Sequence, residues 1–200
     1  MVLVVGALRA ETLPVAAALR GRQHHNGLIQ GILGNTRVSV LTCGVGQRRA
    51  EARTAAALAQ GAFDGVISIG TCGALIDTLA IGAVVEGGAE DGLGPLGHGP
   101  TVRVCTVSRA VWTVTRRDQL AAQGWQVVEM EAAAVARAAR QHGIVASALK
   151  VVSDHAGAGE DLRPGPVSFA RFQVRALRLS QRRLVPALVA VLVRSGAAGR

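Results

Sequence analysis

Three short stretches of this chain carry acids where chemistry is to be expected. Val127 to Ala139 reads VVEMEAAAVARAA, an apolar, β-branched half like the end of a buried strand, then an alanine-rich helix. Glu129 and Glu131 sit at the junction and flank Met130. Two carboxylates at a helix start suit the positive end of its dipole, so capping alone explains them as well as a site does. Ala148 to Asp154, ALKVVSD, is a second buried strand that stops abruptly in Ser153 and Asp154. Open α/β sheets place their sites at the carboxyl ends of strands, which favours function over capping. A third acid, Glu11, follows the apolar run Val2 to Gly6. On its own it reads as a solvated acid in a first helical turn. Ionised carboxylates accept hydrogen bonds from hydroxyl groups, and partly buried ones hold a proton to give away.

The elements that must position these acids follow from composition and pattern. The 200 residues fit one domain with a good-sized core, half of them hydrophobic but only 2% aromatic. Val, Leu, Ile and Ala must therefore build the core, which suits α/β layers with parallel strands buried on both faces. Val2 to Gly6 is strand one, and Thr12, with Pro14 in the first turn, is the expected cap of a helix to about Leu19. Leu28 to Leu33 and Arg37 to Leu41 form a hairpin around Gly34-Asn35. Thr42-Cys43-Gly44-Val45-Gly46 leads into a helix from about Arg48 to Gln60. Gly65 to Gly70 and Ile81 to Glu86 are strands, Thr101 to Val107 another, and Thr115 to Gln123 a short helix. Gly87 to Pro100 is glycine-rich and featureless.

VVEMEAAAVARAA followed by ALKVVSD resembles the purine nucleoside phosphorylase and 5′-methylthioadenosine/S-adenosylhomocysteine nucleosidase superfamily. There a V-x-M-E-x-x-A helix start and a later S-D at a strand end form the ribose and purine sites. Thr71-Cys72-Gly73-Ala74-Leu75 is similar to the family's G-[ST]-[AC]-G-[GA]-L loop, which lies under purine and sugar. Ile81 to Glu86 matches its V-G-D-I-V strand, and Ser168-Phe169-Ala170-Arg171-Phe172 its S-F-x-x-F, whose first Phe closes over the base. The resemblance implies a single three-layer α/β domain over residues 1–200, with a central mixed, largely parallel sheet flanked by helices. It implies cleavage of the N-glycosidic bond of a purine, chiefly adenine, nucleoside. Its carry-over makes Glu11, at the family's offset from Gly6-Ala7, the base for water and Asp154 the proton donor to purine N7, with Ser153 orienting it. Glu131 would accept from the ribose diol and Met130 would floor the sugar, with Val128 and Glu129 beside them. Thr71, Cys72, Gly73, Val111 and Phe169 complete the implied substrate contacts. Val111 stands where the family sets an aromatic ring against the purine, and the adjacent Trp112 reads as structural.

Hydrolysis is expected over phosphorolysis. Family phosphorylases carry an arginine shortly before the G-[ST]-[AC]-G loop, where this chain has Ser68, and Glu11 would repel phosphate. No cofactor or metal is expected, with inorganic phosphate a co-substrate only if the chain is a phosphorylase. A non-catalytic nucleoside-binding protein is the alternative from another class, motivated by the missing ring and by a middle segment shorter than in typical members. A dinucleotide-binding domain is disfavoured, since no G-x-G-x-x-G follows strand one.

The net charge of +9 raises nucleic acid or membrane as partners. There is no recognition motif and no Tyr, so nucleic acid is not expected. Cys43, Cys72 and Cys105 are odd in number and lack metal spacing, and MVLVVGALRAE lacks the basic start of a signal peptide. A reduced, cytoplasmic protein is the expectation, with Cys43 and Cys105 as small buried hydrophobes and, from the resemblance, a homodimer or higher homo-oligomer. The last segment, 167–200, reads as one or two basic helices broken near Pro186. Arg171, Arg175, Arg178 and Arg182 share one face, solvated or laid on an anionic membrane surface. The short middle and basic tail are similar to a hopanoid-associated branch of the superfamily, thought to act on lipid-linked adenosine.

Overall fold

A strand with apolar side chains on both faces is stable only between two layers, and Val2–Gly6 (β1) is such a strand. The computed structural model describes residues 1–88, 92–157 and 166–198. In it β1 lies inside a ten-stranded sheet, parallel to Thr36–Thr42 (β4) on one side and Gly65–Ala74 (β5) on the other. β5 runs parallel in turn to Ala146–His155 (β10). These four strands are the parallel centre. Arg20–His25 (β2) and Leu28–Leu33 (β3) extend it as an antiparallel meander on β4. Val84–Gly87 (β6) pairs antiparallel with β10 and carries Thr101–Val102 (β7). Val104–Thr106 (β8) pairs with Val127–Glu129 (β9), which joins the end of β5.

The pleat sends Leu3 and Val5 into one layer and Val4 into the other. On the first side lie Gln47–Leu58 (α2) and Ala132–Gln141 (α4), packed through Ala50, Ala57, Ala132, Ala136 and Ala139. Alanine at these positions lets helix and sheet approach closely. On the second side Val15 of Arg9–Ala17 (α1) packs with Leu184, Leu188 and Leu192 of the C-terminal helices. Val114–Ala122 (α3) adds Leu120 to a small cluster with Leu75, Val111, Val128 and Ala156. The three-layer α/β fold is therefore as the sequence predicts.

The departures have local causes. α1 begins at Arg9, three residues before the expected Thr12, because Glu11 reaches back to the amide of Leu8 and closes the first turn itself. Thr12 lies buried inside the helix, bonded to Thr42 Oγ1 at 2.7 Å. β2 has no apolar alternation to predict it: all six residues are exposed, and backbone pairing with β3 holds it. The expected strand 101–107 is split into β7 and β8, which join different partners. Glu86 ties the segment before it, accepting from Leu96 N at 2.8 Å and Thr101 Oγ1 at 3.1 Å.

The C-terminal segment is part of the core rather than an appended tail. Pro166–Leu179 (α5), a π-helical turn at Ser180–Leu184 and Val185–Ala198 (α6) follow one another without the break expected near Pro186. The wider turn just before Pro186 accommodates a residue that has no N–H to give. Arg171, Arg175, Arg178 and Arg182 are all exposed; Arg175 Nη1 also reaches the carbonyl of Ser153 at 3.4 Å, and Arg182 lies in the π turn. No helix among the described residues is long and apolar enough to cross a membrane. Leu188 is fully buried. Leu188→Ala is accordingly expected to cost about 2–5 kcal/mol in urea unfolding, and a change near zero would show the segment to be an appendage.

Candidate active site

The carboxyl ends of β1, β4, β5 and β10 open on one side of the sheet, and a cavity of about 620 Å³ lies there. Every site residue expected from the sequence borders it: Glu11, Thr71, Cys72, Gly73, Val111, Val128, Glu129, Met130, Glu131, Ser153, Asp154 and Phe169. The acids nevertheless differ in what holds them.

Glu11 is buried, and four donors fix its carboxylate. The amides of Ala7 and Leu8 donate to Oε2 at 3.1 and 3.0 Å. The amide and hydroxyl of Thr71 donate to Oε1 at 2.8 and 3.0 Å. Gly70 makes this possible: at φ +141° a Cβ there would stand 2.7 Å from Glu11 Oε1.

Glu129 is the capping acid of the pair. Its Oε2 accepts from the amides of Glu131 and Ala132 at 3.0 and 2.8 Å, covering the N-terminus of α4. Its Oε1 meets the hydroxyl of Thr106, which accepts from Ala133 N at 3.0 Å. A fourth partner was not foreseen: Lys150 Nζ lies 3.1 Å from Glu129 Oε2, with both side chains almost wholly out of solvent. Lys150 also donates to Ser68 Oγ at 3.0 Å and to Ile69 O at 3.4 Å. Glu129 thus borders the cavity with both oxygens already engaged by the protein. Lys150 was legible in principle, since a lone Lys in the apolar strand ALKVV needs a buried acid.

Glu131 is held more loosely. Its Oε1 accepts from Gly46 N at 2.7 Å, and it lies at the start of α4 without capping it. Burial pushes its carboxyl up to about 7; Lys150 and the Gly46 bond pull it down, while Glu129 and Glu11 push it further up. Asp154 is raised by burial as well, against its bond with Ser153 and the charges of Arg175 and His155. The Ser153 hydroxyl has one proton but two acceptors, Cys72 O at 3.2 Å and the Asp154 carboxyl. Both contacts are satisfied when Asp154 is protonated and donates to Ser153, which then donates to Cys72.

The apolar wall differs from expectation at one point. Trp112 is 45% exposed and borders the cavity with Val111, so it is not a structural core residue. Phe169, at 54% exposure, and Phe172 face the same space from α5. Trp125 is the tryptophan with a packing role, stacked under the Arg103 guanidinium 4.5 Å from its ring centre. Gly73 packs closely against the protein as well as bordering the cavity, since a Cβ there would come 3.1 Å from Ala156 Cβ. Cys43 and Cys72 are buried and Cys105 half-buried. Burial pushes the Cys43 thiol up to about 12 and raises that of Cys72 too, which disfavours the thiolate of both. No cluster of three metal-ligating side chains occurs among the described residues.

A family model described as the phosphorylase superfamily matches residues 2–87 and 89–189. A search of curated protein sequences gave no match. Among solved structures, a 5′-methylthioadenosine/S-adenosylhomocysteine nucleosidase from Colwellia psychrerythraea 34H, in complex with adenine, superposes with a TM-score of 0.77 at 20% identity, over 96% of this chain and 95% of that one. An S-adenosylhomocysteine nucleosidase from Streptococcus pyogenes, bound to 5-methylthiotubericidin, gives 0.77 at 22% identity, over 94% and 96%. Futalosine hydrolase of Helicobacter pylori gives 0.75 at 18% identity, over 96% of each chain.

The buried pair yields a test of the site's framework. Lys150→Met strands the Glu129 carboxylate and should cost about 3–5 kcal/mol in chemical unfolding. Adding Glu129→Gln should recover part of that loss. Equal stability of Lys150→Met and the parent would contradict the pairing.

Proposed function

The chain belongs to the phosphorylase superfamily, and from that premise we propose that it hydrolyses the N-glycosidic bond of a purine nucleoside, releasing adenine and a ribose derivative. The observation that carries this reading is the meeting of Glu11, Glu131 and Asp154 in one cavity with apolar walls. Such a bond breaks by loss of the base from a sugar that becomes oxocarbenium-like. A protonated Asp154 gives its proton to the leaving purine, and the bond to Ser153 keeps it in place. Met130 and Glu131 take the sugar, the thioether as an apolar floor and the ionised carboxylate as acceptor for two hydroxyl groups. Glu11, positioned by three backbone amides, takes the proton of the attacking water at the acceptor site that the rotatable Thr71 hydroxyl vacates. The exposed rings of Trp112 and Phe169 serve the base and the 5′ substituent.

Hydrolysis is supported over phosphorolysis by the fate of position 68. Ser68 is buried and bonded to Lys150, and the Lys150 ammonium is enclosed by Ser68, Ile69 and Glu129. Neither group is free to hold a phosphate dianion. A binding protein without catalysis is the weaker reading, because binding alone does not require a fixed base and a proton donor together.

Adenine release from methylthioadenosine, S-adenosylhomocysteine and adenosine in phosphate-free buffer tests the proposal. Glu11→Gln and Asp154→Asn should each lower turnover about a hundredfold to ten-thousandfold. Near-parent rates in either would remove that residue from the chemistry.

The Glu131 carboxyl gives a pH signature. It holds its proton below about 7 and only then loses acceptor capacity, so the KM for a ribonucleoside should rise as pH falls through 7. The rise should be smaller for the 2′-deoxynucleoside, which keeps one of the two hydroxyl groups, and absent in Glu131→Gln; a rise of the same size in all three would contradict the assignment.

A further inference from the structure

A second cavity, of about 520 Å³, lies between the 80–84 segment ahead of β6 and the π turn that joins α5 to α6. It shares no lining residue with the candidate active site. We propose that it binds a phosphoryl group, carried either by a soluble phosphate monoester or by the head of an anionic lipid.

The argument begins with two neighbouring arginines. Consecutive residues of an α-helix point about 100° apart and do not normally serve one site. Arg182 and Arg183 fall within the π turn, whose wider winding narrows that angle, and both line the cavity. Two exposed like charges side by side repel each other unless something offsets them. Elsewhere this chain supplies such partners: Arg117 meets Asp77 at 2.7 Å and Arg137 meets Glu51 at 3.0 Å. Among the described residues neither Arg182 nor Arg183 has a carboxylate partner, and no acid lines the cavity.

The surroundings are arranged around those cations. His98 lines the same space, and Arg194 Nη2 stands 3.2 Å from its Nδ1, which adds a third guanidinium at the margin. Gly82, at φ +87°, leaves its backbone bare toward Arg183, whose Nε would be 3.7 Å from a Cβ there. The segment that carries Gly82 is itself anchored, since Gly82 N donates to Val152 O at 2.8 Å and Val152 N to Ala83 O at 2.9 Å. The floor is therefore tied to β10 and the wall is cationic. Guanidinium forks match the oxygens of a phosphoryl group bidentately, and two forks on one cavity fit a dianion.

Two binding assays on the full chain test this. Glycerol 3-phosphate is titrated calorimetrically in chloride buffer at fixed ionic strength, and flotation is measured with phosphatidylcholine vesicles with and without phosphatidic acid. The variant is Arg182→Gln/Arg183→Gln, and the control of equal charge change is Arg22→Gln/Arg37→Gln, in β2 and β4, separated from β6 in the sheet by β1, β5 and β10, with circular dichroism to check folding. Saturable binding of glycerol 3-phosphate that weakens at least about tenfold in Arg182→Gln/Arg183→Gln but not in the control establishes the site for soluble esters. Binding confined to phosphatidic acid vesicles, with the same dependence on Arg182 and Arg183, assigns it to a lipid head. Absence of binding in both assays overturns the proposal. So does binding that survives in Arg182→Gln/Arg183→Gln, the result expected if phosphate entered the first cavity, or binding lost equally in the control.

Discussion

The buried contact between Lys150 and Glu129 is the constraint on which the site rests. An ammonium in the middle of a parallel strand is tolerable only with acceptors on every side, and here a carboxylate, a hydroxyl and a carbonyl provide them. The same carboxylate takes the first amides of α4 and meets Thr106 at the end of β8. One interaction thus fixes the start of α4 relative to β5, β8 and β10, and with it the position of Glu131. The charge acts at a distance too. Burial raises the Glu131 carboxyl, and Lys150 is the strongest influence holding it down.

A division of labour among the acids follows. Glu129 is held inside the framework and Glu131 is left partly free beside it. Glu11 is locked by backbone amides that β1, α1 and β5 bring together, and it needs the bare backbone of Gly70 to sit where it does. Asp154 sits where the pairing of β10 with β5 shifts register, next to a hydroxyl that shares its proton. The result is one carboxyl whose hold on its proton burial strengthens, one poised near neutrality and one immobilised as acceptor. A reaction that must protonate a leaving group, hold a sugar and direct water has use for each.

The fold was legible because its signals are strong: apolar runs buried on both faces and strand ends marked by acids or glycines. The cavity was legible because VVEMEA, SD and TCGAL are local motifs. What escaped depends on distance or on backbone alone. Lys150 looked like part of an apolar strand until Glu129, far off in sequence, was seen opposite it. β2 has no core face, so RGRQHH carries no periodicity. The true start of α1 depends on Glu11 closing a turn that Leu8 cannot cap, and Pro186 reads in sequence as a break, whereas the π turn before it absorbs the missing N–H and lets the helix continue. Trp112 was misread because a tryptophan usually belongs to a core, whereas here it stands at the mouth of the cavity.

The most direct test of the account is the identity of the sugar product. Phosphorus NMR and mass spectrometry of a reaction run in saturating phosphate distinguish the two chemistries in one sample. A fixed Glu11 and a phosphate position occupied by the Ser68–Lys150 contact predict a free reducing sugar and no new phosphate ester. A sugar 1-phosphate would contradict the account and assign Glu11 to a structural or sugar-binding role.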